Sequence, residues 1–534
     1  MIRRCLRASV IALACLAAPR RAHAQGFDVV EATIPGVHAA LKTGRLTCHD
    51  LVQRYLDRIA AYDKAGPALN AIQTVNPRAI AVADSLDAVM RGKKPTGSLH
   101  CVPVLLKDQV ETRDMPTTYG SAIFKDFRPQ RDATVVTRLE GAGAIVLAKT
   151  NMGEFASRYV GSAFGIIRNA YDPTRNPSGS SGGSASGVAA SFGLVGIGED
   201  TGGSVRGPSA VSGLVGLRPT LQLVSRHGML PANPTQDTMG PMTRTVLDAA
   251  LLLDVMVGYD PADPITAYAV GHVPGSYATG LRADALRGAR IGVLREPMDS
   301  SSHPVSEDFL KVKAVVDGAI ASLQALGATV VDPLVIPALS INRDISNDYE
   351  TEQATDAYLK EHPNAPVKTF KEIMLSGMVN PWRARGLMAL VGKTTNDRGY
   401  LTVIQQREAL RLGVLKVMAD ERLDAIVYPT FTNQPTPIAA DVLTNPKPMD
   451  DYGKGDNRGL SPAIGFPALT VPAGFTTDAL PVGLEFLGRP FTEPLLLGFG
   501  YAFEQATHAR RPPPGMPALS ASPAFQHGTP SRRR

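Results

Sequence analysis

The most regular periodicity in the chain lies in TCHDLVQRYLDRIAAYD (47–63), where apolar residues recur three and four positions apart. Thr47 and Asp50 stand ahead of them at capping-box-like spacing, so the segment is predicted to be an amphipathic helix. A second pattern has no polar alternation at all. The runs VPVLL (102–106), AIVLA (144–148), ARIGVL (289–294) and AIVYP (425–429) read as buried strands. Helical stretches at 134–141, 243–257 and 306–326 interleave with them, which is the patterning of an α/β protein built on a largely parallel or mixed sheet. The segments 259–285, 376–400 and 432–459 are looser and more polar and read as excursions from the core. There is no convincing repeat and no low-complexity linker in mid-chain.

Composition narrows this picture. The 534 residues are 44% hydrophobic and 19% charged, enough for one very large core or two to three ordinary ones. Formal charge is +6, yet residues 1–24 hold five arginines and no acid, so without them the remainder carries +1. Three further arginines, Arg532 to Arg534, end a Pro/Ser-rich tail (513–534) that reads as disordered. No basic face is left on the body to serve as a nucleic-acid footprint. The opening MIRRCLR, the apolar run ASVIALACLAA and the following AHAQ form the three regions of a secretory signal peptide cleaved after Ala24. The apolar run is too short for a membrane anchor. Arg3-Arg4 as a twin-arginine signal and Cys15 as a lipoprotein site both lack the fitting context. Cys5 and Cys15 leave with the signal, so Cys48 and Cys101 remain, enough for one disulfide.

Two stretches are rich in glycine and hydroxyls, SGSSGGSASG (178–187) and EDTGGSVRG (199–207). A flexible linker is the plain reading of such composition. The first stretch, however, runs directly into SASGVAASFGLVGIG, small residues suited to a tightly packed helix followed by a buried strand. A phosphate loop would need a lysine after its last glycine, and none is there. GSSGG (179–183) matches the G-x-S-x-G elbow with Ser181 as nucleophile and a downstream histidine such as His227 or His508 as base; that motif follows a strand and here a Pro/Asn-rich loop precedes it, so an α/β-hydrolase-type esterase stands as the enzyme runner-up.

Segment 171–220, YDPTRNPSGSSGGSASGVAASFGLVGIGEDTGGSVRGPSAVSGLVGLRPT, resembles the defining segment of the amidase signature family, serine hydrolases with a Ser, cis-Ser, Lys triad. VPVLLKDQV (102–110), GAIVLAKTNMGEF (143–155), QDTMGPMTRTVLDAALLL (236–253) and SPAIGFPALTVPAGF near the C-terminus extend the resemblance over roughly residues 28–512. It is weakest between about 260 and 420. LVSRHGML followed by QDTMGPM is similar in particular to bacterial peptide amidase-like members. The resemblance implies a single large α/β domain (25–512) with a mixed, mostly parallel twisted central sheet covered by helices on both faces. It also implies Ser204 as nucleophile, Ser180 after a cis peptide bond as proton relay, and Lys107 as general base.

An amide carbonyl is a weak electrophile, so the attacking hydroxyl must lose its proton as it adds. A lysine can take that proton if burial keeps it neutral, and Lys107 follows the apolar VPVLL. Thr201, Gly202, Gly203 and Ser204 would offer backbone N–H groups to the developing oxyanion, each donor being worth about 3–4 kcal/mol in the transition state. Asp108 is expected to serve structure, because adjacent side chains on an extended chain point opposite ways. Asp200 and Arg206 are expected to brace the nucleophile loop, and the histidines to be structural. With no HExxH pair or paired-cysteine motif, no metal or other cofactor is expected. Trp382 could line a pocket or fill a core. Gln109 and Glu199 stand where the family often has Asn and Thr, departures expected to bear on substrate fit rather than on chemistry. The expected protein is an exported, cofactor-free amidohydrolase for a small-molecule amide, forming an acyl-enzyme and needing no nucleic acid. Its assembly is left open, with a homodimer among the options. The rival from another class is a catalytically silent periplasmic binding protein on the same scaffold.

Overall fold

The computed structural model describes residues 27–91, 95–297, 305–341, 348–448 and 456–519. The expected signal peptide and the last fifteen residues of the expected tail lie outside these segments. Strands follow in chain order as β1 (Ile72–Val75), β2 (Pro103–Lys107), β3 (Ile145–Thr150), β4 (Val160–Gly161), β5 (Gly165–Ile166), β6 (Val195–Asp200), β7 (Val215–Arg218), β8 (Thr238–Thr243), β9 (Arg290–Leu294), β10 (Thr329–Leu334), β11 (Ala425–Pro429), β12 (Ala468–Phe475) and β13 (Pro481–Leu487). Eleven of them form one sheet in the order β1-β3-β2-β6-β8-β7-β12-β13-β11-β9-β10, while β4 and β5 pair separately. The sheet is mixed: β3, β2 and β6 run parallel, as do β11, β9 and β10, and the junctions between β6 and β11 are antiparallel. A single α/β domain results.

The four apolar runs become β2, β3, β9 and β11. The periodic segment becomes the Cys48–Tyr62 helix, whose start is fixed by Thr47 accepting a hydrogen bond at 3.0 Å from the Asp50 amide. The small-residue segment forms the Gly182–Ala189 helix, buried along its whole length. Its glycines make that burial geometrically feasible. A Cβ on Gly183 would sit 2.2 Å from the Asn151 carbonyl oxygen and 2.5 Å from that of Ala71. The excursion 376–400 contains a helix of its own, Pro381–Met388, whose Leu387 is buried with Tyr119, Phe124, Phe155, Tyr358 and Phe370 in a separate aromatic cluster.

Cys48 and Cys101 form a disulfide with Cα atoms 5.4 Å apart. It ties the first turn of the Cys48–Tyr62 helix to the entrance of β2, the strand that ends at Lys107. The C-terminal boundary runs further than expected. Met516 is buried, and its carbonyl oxygen and that of Pro517 accept the Arg58 guanidinium at 3.0 and 2.9 Å, so the first residues of the expected tail belong to the domain. Among the described residues no helix is long and apolar enough to cross a membrane.

Candidate active site

Because β2 and β6 are parallel neighbours, their carboxyl ends lie side by side, with Leu106 opposite Ile197. Crevices beyond the carboxyl ends of strands are where α/β sheets receive ligands. Lys107 closes β2 there, and Glu199 and Asp200 close β6. The chain beyond β6 turns through Thr201-Gly202-Gly203-Ser204 into the Arg206–Val211 helix, while the loop before the Gly182–Ala189 helix brings in Gly179 and Ser180.

Lys107 is fully buried, and its Nζ lies 2.7 Å from Ser180 Oγ. The Gly179–Ser180 peptide bond is cis, as the resemblance implies. Gly179 has no room for a side chain, since a Cβ would fall 1.6 Å from the Arg158 carbonyl oxygen. Ser204 is half-buried and, with Gly179, Thr201 and Gly202, lines a cleft of about 380 Å³. The two glycine-rich stretches thus meet at one cleft with Lys107 beneath it.

Burial pushes the Lys107 amine below its ordinary pKa, and the charges of Glu199, Asp200 and Asp237 oppose that shift without cancelling it. Glu199 makes the closest of these contacts, with Oε2 at 2.8 Å from Nζ and its backbone oxygen at 3.2 Å. Glu199 therefore lies against the lysine that the resemblance names as general base, a contact that the expectation of a bearing on substrate fit does not include. Its other oxygen, Oε1, lies 2.6 Å from Thr201 Oγ1, and the same hydroxyl is 2.7 Å from Asp237 Oδ1. Asp237 itself accepts the Ala232 and Asn233 amides at 2.8–3.0 Å. Burial and the charge of Glu199 push its carboxyl up to about 7.

Asp200 points to the other side of β6. Its carboxylate accepts Gly203 N–H at 2.8 Å, Val205 N–H at 3.1 Å and Arg206 Nε at 3.1 Å, and Arg218 reaches its Oδ1 at 3.1 Å. Burial alone would raise this carboxyl, but Arg206 and Arg218 hold it far below the ordinary carboxylate range. Arg206 goes on to Glu485 and, at 2.8 Å, to the Arg458 carbonyl oxygen. Asp200 and Arg206 thus clamp both flanks of Ser204 to the sheet. One expected oxyanion donor is lost to this clamp, because Gly203 spends its N–H on Asp200. Among the described residues the amides of Gly202 and Ser204 have no acceptor in the protein and remain available.

The elbow reading does not fit this geometry. No strand leads into Ser181, whose hydroxyl is buried and bonded to the Glu199 backbone, donating to its oxygen at 3.2 Å and accepting from its nitrogen at 3.3 Å. His227 pairs with Thr134 instead, at 3.2 Å, and His508 caps the C-terminus of the Glu493–Thr507 helix. Asp108 accepts the Thr118 amide and hydroxyl and the Gly120 amide, holding the loop after β2. A second buried lysine, Lys149, is pushed down to about 8 by burial, but its Nζ donates to Thr117 Oγ1 at 2.8 Å and reaches no serine of the glycine stretches. Gln109 and Phe370 line a narrow apolar pocket that opens off the cleft between Ala156, Ala232, Thr351 and Arg383. Trp382 lies outside that lining, half-buried beneath the Arg158 guanidinium at 4.7 Å.

A mixed α/β domain with a lysine-serine pair under a glycine-walled cleft suits a hydrolase, and comparison with known proteins gives the family. Residues 50–497 match the sequence model of the Amidase family, and the chain belongs to that family. A probable amidase of Arabidopsis thaliana is 33% identical over 513 residues, covering 91% of this chain and 92% of the relative. The crystal structure of native peptide amidase from Stenotrophomonas maltophilia superposes with a TM-score of 0.79 at 35% identity, covering 90% of this chain and 98% of that one. That of an amidase family protein from Bacillus anthracis superposes with a TM-score of 0.78 at 33% identity, covering 91% of this chain and 92% of its own. The protein is an amidase-family hydrolase.

Proposed function

We propose that the protein hydrolyses a carboxamide through an acyl-enzyme, with Ser204 as nucleophile, Ser180 as proton relay and Lys107 as general base. The observation that carries this reading is the buried Lys107 amine 2.7 Å from Ser180 Oγ beneath the cleft that Ser204 lines. As Ser204 adds to the carbonyl carbon, its proton passes to Ser180, and that of Ser180 passes to the lone pair of Lys107. The C–N bond then breaks as the relay reverses and protonates the leaving nitrogen. Gly202 and Ser204 amides face the oxygen that gains negative charge. Water repeats the cycle on the ester to release the acid.

The substrate amide sits in the cleft of about 380 Å³ that Ser204 lines, because the apolar side pocket between Tyr119, Phe155, Leu230 and Phe370 offers only about 20 Å³, little more than the space of one water-sized group. Similarity to a peptide amidase supports including peptide amides in the substrate class. The protein works after export. The leader-like start and a buried disulfide, a bond that persists in oxidising compartments, support this location. Assay of the purified protein against simple, aryl and peptide amides, following ammonia and amine release separately, tests the reading. Turnover of at least one class, abolished in Ser204→Ala with the fold retained, is expected; undiminished turnover in Ser204→Ala contradicts it. A silent binding protein would turn over none of them.

A further inference from the structure

A buried carboxylate in contact with a general-base lysine is an odd arrangement, because it favours the ammonium form that cannot accept a proton. The surroundings of Glu199 show what the contact does. Resting on the triad reading above, we propose that Glu199 is a positioning residue for Lys107 and that Asp237, acting through the Thr201 hydroxyl, sets how much negative charge Glu199 presents to the amine.

The geometry is a continuous chain. Lys107 Nζ meets Glu199 Oε2 at 2.8 Å, Glu199 Oε1 meets Thr201 Oγ1 at 2.6 Å, and Thr201 Oγ1 meets Asp237 Oδ1 at 2.7 Å. A hydroxyl has one hydrogen, so Thr201 can donate to only one of the two carboxyl groups. The chain is fully satisfied when one proton resides on the acid pair. Asp237 then donates to Thr201, Thr201 donates to Glu199, and Glu199 accepts from Lys107. Without that proton an oxygen of one carboxylate faces the hydroxyl oxygen with no hydrogen between them, a costly contact where Lys107, Glu199 and Asp237 are all buried. The burial that raises Asp237 to about 7 favours the protonated arrangement at and below neutrality.

The other charges near the amine leave Glu199 as its direct partner. Asp200, on the far side of β6, is neutralised by Arg206 and Arg218. Lys149 on β3 faces Asp108 at 3.9 Å and bonds to Thr117. Glu199 fixes the amine from one side while Ser180 receives it on another, so the Nζ lone pair is presented along one direction. The cost is a higher pH for releasing the proton of the amine, and Asp237 limits that cost while it stays protonated.

The test is the pH dependence of the rate at which a fluorophosphonate labels Ser204 in the full chain. Labelling needs neutral Lys107, so the rate rises with pH through the titration of the amine. Removing the negative charge in Glu199→Gln makes the ammonium easier to deprotonate. The acid limb should then move to lower pH by about one to three units, the span typical of an adjacent opposite charge, and the plateau should fall because the amine loses its anchor. Asp237→Asn should move the limb in the same direction by less. Should Glu199→Gln fail to fold, Glu199→Thr, smaller and uncharged, is expected to show the same displacement. A limb that stays at the wild-type position in the folded variants overturns the proposal, since a purely structural role lowers the plateau without moving the limb. Wild-type protein unlabelled at Ser204 overturns the triad reading and this inference with it, whereas a labelled Ser204 with an unmoved limb overturns this inference alone.

Discussion

Asp200→Asn is the substitution for which the structure gives the largest and best-defined consequence. The side chain is fully buried and carries the only negative charge that bridges Arg206 and Arg218, both of which are also fully buried among the described residues. Arg206 retains Glu485, but Arg218 is left with backbone carbonyl oxygens, those of Asp200 and Gln236. Removing one partner of a buried ion pair typically costs about 3–5 kcal/mol, because the remaining charge stays desolvated and uncompensated. The variant amide still offers one oxygen, enough for Gly203 N–H or Val205 N–H but not for both at their present distances. The predicted loss is therefore about 3–5 kcal/mol in urea unfolding, together with slower fluorophosphonate labelling of Ser204 in protein that is still folded. Since the Asp200 carboxyl is held below its ordinary pKa, its contribution is complete above the unfolded value and is lost only as pH falls toward the depressed folded one. The deficit should accordingly be constant across neutral pH. A loss below about 1 kcal/mol, or a folded variant labelled at the wild-type rate, would refute the clamp argument.

Two further predictions follow from local geometry. Reducing or replacing the Cys48–Cys101 disulfide frees a loop of 53 residues and should lower stability by up to about 4 kcal/mol by the loop-entropy relation; midpoints in urea that do not change under reductant would contradict this. Gly179→Ala drives a Cβ into the Arg158 carbonyl oxygen and should abolish labelling of Ser204, while an alanine variant labelled like wild type would show that the loop before Ser180 can move aside.

Much of this site was legible in the sequence, for reasons that are local. The Cys48–Tyr62 helix announces itself through Thr47, and β2 and β3 through uninterrupted apolar runs. The two glycine-rich stretches are compact enough that their residue types alone indicate close backbone approach. The pairing of β6 with β8, and of β7 with β12, was not legible, because antiparallel partners from distant segments leave no mark on either segment. The part played by Glu199 was half visible. Alternation along β6 sets Glu199 and Thr201 on one side and Asp200 on the other, which is the division observed. What the alternation lacks is the far end of the chain, since Asp237 arrives from a loop whose path depends on tertiary contacts. Gly203 shows the opposite failure: its position in a glycine run suggested an oxyanion donor, and a carboxylate three residues earlier takes its N–H.

The central claim, that the hydroxyl of Ser204 is the nucleophile served by Ser180 and Lys107, is tested most directly by the site of a fluorophosphonate adduct. Trypsin releases residues 176–206 as one peptide containing Ser180, Ser181 and Ser204, so fragmentation of that peptide must place the label. The account predicts a single adduct on Ser204 that disappears in Lys107→Met. An adduct on Ser181, or labelling that persists at full rate without the lysine, would contradict it.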